Sequence, residues 1–138
     1  MGPTGAKALA DALASGKAVL TSIDVSYNEI GKDGAIAIAE ALKSGRVVMN
    51  TVTLDGYGSG FPLPVKQLKG TEPVEALDFS SKGLGVASGI VIASLIEGNS
   101  VLTDLNLIFN GLGPQGAVAI AEALKSGMAV LTTLKCGF

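Results

Sequence analysis

The sequence predicts an α/β fold, a short stack of strand-and-helix units within a single domain that spans residues 1–138. The first observation is an internal repeat: residues 20–48 and 102–130 align without a gap, and 16 of 29 positions are identical. The second is that each of these segments opens with alternating apolar residues and continues with a run of helix formers. Such repetition indicates units that bury their apolar faces against one another.

The boundaries of the units follow the apolar residue that opens each strand. Residues 2–6 match residues 113–117, so a half-unit precedes the first complete one. The predicted pieces are a half-repeat at 2–19, repeats at 20–48, 49–73, 74–101 and 102–130, and a partial repeat at 131–138.

Each complete unit is expected to begin with a short strand and continue into a helix. Residues 35–43 and 117–125 are rich in strong helix formers. Gly45 and Gly127 lie where a C-terminal helix cap is expected. Ala39 and Ala121 occupy equivalent positions, and we expect both to face inward with no room for a larger side chain.

The unit at 49–73 departs from this pattern. Its strand is predicted at Val52 and Leu54, but a glycine-rich run then leads into Phe61-Pro62-Leu63-Pro64. Closely spaced prolines disfavour a regular helix, so we expect a loop-like Pro/Gly segment from residue 57 to 73 in place of the helix. The Phe61–Pro64 segment either fills the core of a shortened repeat or forms a stiff ridge that a partner recognises.

The motif L-x-x-L-x-L-x-x-N-x-I/L-G at 20–31 and 102–113, with the G-A-x-A-I-A-E-A-L helix that follows it, resembles the leucine-rich-repeat family in its ribonuclease-inhibitor-like subclass. The resemblance implies a short right-handed leucine-rich-repeat solenoid with parallel strands on the concave face and helices on the convex face. It also implies that Asn28 and Asn110 bond backbone of adjacent turns. Tyr57 and Lys82 replace that asparagine in the units between, which would interrupt the ladder.

The resemblance further implies protein binding through the concave face. Strand positions expected to point out of this face carry acidic, amide or hydroxyl groups, and two aromatics at matching positions just past their strands are plausible anchors. The predicted site residues are Asp24, Ser26, Tyr27, Thr53, Asp55, Asp78, Ser80, Asp104, Asn106 and Phe109. Carboxylates could bind Ca²⁺, but we interpret these as solubilising an exposed sheet and predict no metal site.

Several classes of function are disfavoured by composition. The chain has no histidine, which removes histidine-based catalysis and histidine metal ligands. The only cysteine, Cys136, has no base near it in the sequence and falls at a buried strand position. A net charge of −2 and the lack of a basic run argue against nucleic acid. We therefore predict a protein that is not an enzyme and uses no cofactor.

The same sequence lacks the signals of secretion or membrane insertion. Residues 1–18 do not form a secretory signal, and the apolar stretch from Gly83 to Ile96 is too short to span a bilayer. With a single cysteine, this favours an intracellular, cytoplasmic location.

Two functions follow as hypotheses. The first is a non-catalytic protein-protein interaction module, and the alternative is a structural scaffold subunit that is permanently packed in a large multiprotein assembly. In either case the first and last repeats are expected to be covered by further repeats or by partner subunits. Size-exclusion chromatography of the chain alone would separate the two, because a module should be a clean monomer.

Overall fold

A computed structural model describes residues 2–17, 19–44, 47–126 and 130–136. Helices and strands alternate through these ranges, except that two strands, Thr51–Thr53 and Pro62–Pro64, follow one another, and the mixture fits an α/β fold. Gly45 and Gly127, the expected helix caps, lie outside the described residues. The elements are α1 (Gly2–Ala14), β1 (Ser22–Asp24), α2 (Gly31–Lys43), β2 (Thr51–Thr53), β3 (Pro62–Pro64), α3 (Val65–Lys69), β4 (Ala76–Asp78), α4 (Val86–Ile96), β5 (Asp104–Asn106), α5 (Gly113–Lys125) and β6 (Thr133–Lys135).

The strands form two three-stranded sheets, in the orders β1-β2-β3 and β4-β5-β6. All neighbours are parallel except β2 and β3, which are antiparallel. The strands therefore do not form one continuous sheet. The reason is local: β3 occupies the edge of β2 that β4 would need for a continuous sheet.

The helices, by contrast, pack in sequence as α1 on α2, α2 on α4 and α4 on α5. Glycine makes these approaches close. A Cβ atom on Gly34 would lie 2.9 Å from the Cβ of Ala6, and one on Gly89 would lie 3.1 Å from the Cα of Gly116. Small residues thus set the spacing of the helices, since interiors are packed without spare volume.

The core lies between the strands and the helices and is built from aliphatic side chains. The central residue of β1, β2 and β5 points into it: Ile23 pairs in register with Val52, and both are buried, as is Leu105. On the helical side, Ile38 and Leu42 of α2 are fully buried. These apolar strand and helix faces supply the main favourable free energy of folding.

Residues 57–73 are more ordered than the expected loop, because they contain β3 and the short helix α3. Proline lacks an amide hydrogen, so the residues flanking the prolines make the bonds: the amide of Phe61 donates to the carbonyl of Asp55 and the amide of Val65 to that of Asn50, both at 2.9 Å. Leu63 between the prolines is fully buried. This favours the core-filling interpretation of the segment.

Helix α3 stands behind β2, between the ends of α2 and α4. The ammonium group of Lys69 donates to the carbonyl of Leu42 at the end of α2, at 2.8 Å, and burial lowers the pKa of Lys69. The side-chain amide of the buried Asn99 donates to the carbonyls of Gln67 and Leu68, both at 3.0 Å. These contacts give partners to the carbonyl at the end of α2 and to two carbonyls of α3, which the amides of the next helical turn would bond if those helices were longer.

The expectation that Ala39 and Ala121 are both enclosed is half wrong. Ala39 is buried, but Ala121 is exposed. Helix α4 covers the corresponding side of α2, whereas no described helix covers that side of α5. Cys136 is only half-buried for a similar reason, and this burial raises the pKa of its thiol.

Candidate protein-binding surface

The outward side chains of β4, β5 and β6 form a continuous polar surface, which we call the acidic strand face. A shallow depression of about 370 Å³ lies over it, with Leu77 and Leu105 in its floor. Asp78, Asp104, Thr133 and Lys135 are exposed around it, and Asn106 is half-exposed. The acidic strand face consists of Ala76, Asp78, Asp104, Asn106, Thr133 and Lys135.

The same hydrogen-bonded turn follows strands β1 and β4. An Oδ1 atom of Asp24 accepts from the amide and the hydroxyl of Ser26, at 2.9 and 2.6 Å. Asp78 accepts from Ser80 in the same way, at 2.9 and 2.7 Å. These side chains thus stabilise the turn that follows their strand and project from a defined backbone.

The same hydrogen bonds affect the charge of the two carboxylates. The hydroxyl and the amide of Ser26 hold the pKa of Asp24 below its ordinary value, and Ser80 does the same for the pKa of Asp78. Bonds to the charged form favour that form. Both groups therefore keep their negative charge on the surface well below neutral pH.

Beyond the turns, two aromatic side chains project into solvent. Tyr27 is 78% exposed and Phe109 is 73% exposed. Both have a positive φ, 61° and 60°, and Ser81 at the same position of another repeat has 55°. A bulky residue in this left-handed conformation is an outlier that persists only where the surroundings impose it.

The two aromatics differ in their surroundings. The hydroxyl of Tyr27 donates to the carbonyl of Gly58 at 2.6 Å, which ties the tip of its side chain to the glycine-rich loop that follows β2. Phe109 follows the end of β5, one of the strands of the acidic strand face, and makes no such bond to a loop among the contacts of the described residues.

Two of the predicted site residues are not on an accessible face. Thr53 is buried, because the loop that leads to β3 crosses over it: a Cβ on Gly60 would lie 2.5 Å from the Cγ2 of Thr53. Asp55 is half-buried and accepts hydrogen bonds from the amide and hydroxyl of Ser88 in the first turn of α4. Asp55 is thus a helix cap, and its placement on the concave face is wrong.

The remaining predicted residues fall into two groups. Asp24, Ser26 and Tyr27 lie with β1, whereas Asp78, Ser80, Asp104, Asn106 and Phe109 lie with β4 and β5. Lys135 borders the depression but was not among the predicted site residues. The strand-like alternation of the last unit places it on the same face, so the sequence could have indicated it.

The asparagine expected to bond adjacent turns does so at Asn110. Its carbonyl oxygen accepts from the amides of Lys82 and Leu84, both at 3.0 Å, and its amide donates to the carbonyl of Phe79 at 2.9 Å. Where Tyr57 replaces the asparagine, its own backbone amide donates to the carbonyl of Lys82 at 2.9 Å. A direct backbone bond therefore takes the place of the missing side chain.

Among the described residues, no group of three acidic, cysteine or histidine side chains is placed to hold a metal ion. No helix in the described part of the chain has the length and apolar character needed to cross a bilayer.

Repeated strand-and-helix units with a polar strand face define this chain as a repeat protein. A family model described as Leucine Rich repeat matches residues 17–39 and 98–121. These two matches support a leucine-rich-repeat protein, a family whose members are generally non-enzymatic protein-interaction modules. A search of curated proteins found no match.

Proposed function

We propose that this chain binds another protein through the acidic strand face, with Phe109 as the anchor at its rim. One observation carries the proposal: a large aromatic side chain is held 73% exposed on a left-handed backbone just past β5, a strand that lines a polar depression. Exposed aromatics that cost folding free energy point to a use in binding. The proposal includes the finer architecture, a short right-handed solenoid of the ribonuclease-inhibitor-like type whose inner face is this surface.

The binding surface is assigned to the β4–β6 side and not to the whole row of strands. On the β1–β2 side the glycine-rich loop covers Thr53, and Tyr27 is hydrogen-bonded to that loop. An approaching protein would meet the loop there before it met the strands. On the β4–β6 side the strand side chains remain accessible.

The partner is expected to be basic where it touches this face. Within the acidic strand face, Asp78 and Asp104 carry two negative charges and Lys135 carries one positive charge, and Lys82 just beyond the face also acts on Asp78. Opposite charges across an interface raise the association rate, and at 0.1 M salt their attraction is largely screened beyond about 10 Å. The association rate of the partner should therefore fall as the ionic strength rises.

The experiment begins with a pull-down and mass spectrometry to obtain a partner. Association is then measured for the parent chain and for Asp78→Lys and Asp104→Lys, with Glu40→Lys as the control, because Glu40 is an exposed acid on α2. The two strand-face reversals should slow association about tenfold at low salt, and the control should not. Equal rates for all four chains would remove the acidic strand face from the binding site.

A specific observation favours the second candidate, a scaffold subunit. Helix α4 contains no charged residue, and a groove of about 370 Å³ runs over it between α2 and α5, lined mainly by Ile36, Ile90, Val118 and Ala119. Val118 is 60% exposed there. Aggregation of the isolated chain, relieved by Val118→Glu, would favour a permanently covered subunit over a module.

A further inference from the structure

Asn110 is the one asparagine of the sequence that is followed directly by glycine, Gly111. An asparagine side chain can react with the backbone of the next residue. The backbone amide nitrogen loses its proton and bonds the side-chain carbonyl carbon, and the side-chain nitrogen takes up a proton and leaves as ammonia. Water then opens the five-membered ring to aspartate or isoaspartate. Glycine favours this reaction, because it has no β-carbon in the path of attack and leaves the backbone free to bend.

In the folded chain the side chain of Asn110 is held away from this reaction. Its carbonyl oxygen accepts from the amides of Lys82 and Leu84, both at 3.0 Å. Its amide nitrogen donates to the carbonyls of Phe79 and Leu107, both at 2.9 Å. These partners lie in two different repeats, so the side chain cannot turn towards the following residue while the repeats remain packed.

The attacking nitrogen is restrained by a hydrogen bond of its own. The amide of Gly111 donates to the carbonyl of Leu84 at 2.8 Å, so its hydrogen points at the preceding repeat. This bond and those of Asn110 must break before the two reacting atoms can meet. The reaction therefore requires the turn to open, and its rate should follow the fraction of chains in which the turn is open.

Neither product of the reaction fits the closed turn. An aspartate at position 110 has no amide hydrogens, so it would place a charged oxygen against the carbonyl oxygens of Phe79 and Leu107. In isoaspartate the main chain runs through the former side chain, and the added carbon would shift the amide of Gly111 away from the carbonyl of Leu84. Carbonyls that lose their donors cost folding free energy, so a turn that has reacted closes less well.

The equivalent asparagine of the first repeat provides an internal comparison. Asn28 donates to the carbonyls of Val25 and Ser26, at 3.2 and 2.9 Å, as Asn110 does at its own turn. The residue that follows it is Glu29, whose side chain hinders attack by its amide nitrogen. The two asparagines therefore share a turn but differ in reactivity.

We propose that Asn110 is a deamidation site that the folded repeat keeps unreacted and that opening of the turn allows to react irreversibly. The residue thereby limits how long a molecule keeps its native turn. Phe109, the anchor of the proposed function, immediately precedes it, so the reacted chain should also bind its partner more weakly. Only this last consequence rests on the proposed function, because the chemistry of the turn does not involve the partner.

The test incubates the 138-residue chain in mildly alkaline buffer, folded and in denaturant. Mass spectrometry of its peptides detects the replacement of each side-chain amide by a carboxyl group. The unfolded chain should react first at Asn110, and the folded chain should react there at least about tenfold more slowly. Equal rates in the two states would overturn the protection by the fold. Earlier reaction at Asn28 in the unfolded chain would overturn the assignment to residue 110.

Gly111→Ala is the matched variant, because the fold has room for it. A Cβ atom on Gly111 would meet only the carbonyl oxygen of Leu84, at 3.8 Å, and the residue does not have a positive φ. The variant should unfold at a thermal midpoint no lower than that of the parent. In denaturant it should react at residue 110 at least about tenfold more slowly. If its rate matched that of the parent, attack by the backbone of residue 111 would not be the mechanism.

Asn110→Asp supplies one product of the reaction directly. It should lower the thermal midpoint by about 5–10 °C, because the turn loses its donors. An unchanged midpoint would contradict the claim that the reacted turn closes less well. None of these measurements uses the binding partner, so a negative result would leave the proposed function standing.

Discussion

Asp55 at the end of the first sheet caps the first turn of α4 through Ser88. One carboxylate oxygen of Asp55 accepts from the amide of Ser88 at 3.3 Å, and the other accepts from its hydroxyl. Strands β2 and β4 are not paired, and this contact links the end of β2 to helix α4. Ser88 is fully buried, so its hydroxyl depends on that carboxylate.

Asp55→Ala should lower the free energy of unfolding by about 2 kcal/mol, because it removes a helix cap and leaves a buried hydroxyl without its acceptor. Ser88→Ala removes the buried hydroxyl itself and so leaves no hydroxyl without an acceptor. It should therefore lower the free energy of unfolding by only about 1 kcal/mol. Denaturant unfolding measures both. In the double variant the two losses should not add, since the residues share one interaction.

Asp104→Ala is the control for the removal of an aspartate, because Asp104 is exposed on β5. It should change the stability by no more than about 0.5 kcal/mol. Equal losses for Asp55→Ala and Asp104→Ala would show that the cap contributes nothing.

The same substitution at two equivalent alanines should give opposite results. Ala39→Leu places a larger side chain where α2 is covered, and overpacking should cost about 1–3 kcal/mol. Ala121→Leu adds to an exposed face of a dilute monomer, where the cost should stay below about 0.5 kcal/mol. Thermal unfolding of the pair at low concentration checks this, and a matching loss at both sites would show that α5 is covered.

Phe109 should distinguish backbone strain from binding. Glycine tolerates the positive φ of this position and alanine does not, so Phe109→Gly should be more stable than Phe109→Ala by about 1 kcal/mol. Both variants lack the ring, and both should bind the partner equally weakly. Unfolding and binding measurements on the two chains test the two statements separately. If Phe109→Gly kept full affinity, the ring would not be the anchor.

Acid should weaken the turns at the ends of β1 and β4. The hydrogen bonds from Ser26 and Ser80 lower the pKa values of Asp24 and Asp78 in the folded chain. A carboxyl group whose pKa is lower in the folded chain stabilises the fold at pH values above its unfolded pKa. That contribution is lost as the pH falls through the folded pKa. The loss of stability therefore occurs at acidic pH, below the ordinary pKa of aspartate. Near neutrality the stabilising contribution is fully present.

Carbon-13 NMR of the carboxyl groups measures this directly. Ser26→Ala should raise the pKa of Asp24 towards its ordinary value and leave that of Asp78 unchanged. Ser22→Ala is the control, because Ser22 bonds Thr51 and not Asp24. An unaltered pKa of Asp24 in Ser26→Ala would assign the shift to another cause.

Much of the local structure was predictable because it depends on residues close together in the chain. The alternation of Ile23 with Val25 and of Leu105 with Leu107 places strands where β1 and β5 are found. The alanine-rich runs place α2 and α5, whose observed starts at Gly31 and Gly113 precede the expected ones by one turn. Exposure of Phe109 also follows from its position just past a strand.

The sequence by itself determined the repeated strand-and-helix units, the apolar residues that face the core and the acidic character of the exposed strands, because each depends on the spacing of side chains along the chain. Only the tertiary structure decided which of those positions stay accessible. Thr53 is covered by a loop, Asp55 bonds a helix from another repeat, and Ala121 lacks the neighbour that covers Ala39. The physical reason is that exposure depends on what packs against a residue, and residues distant in the chain supply that packing.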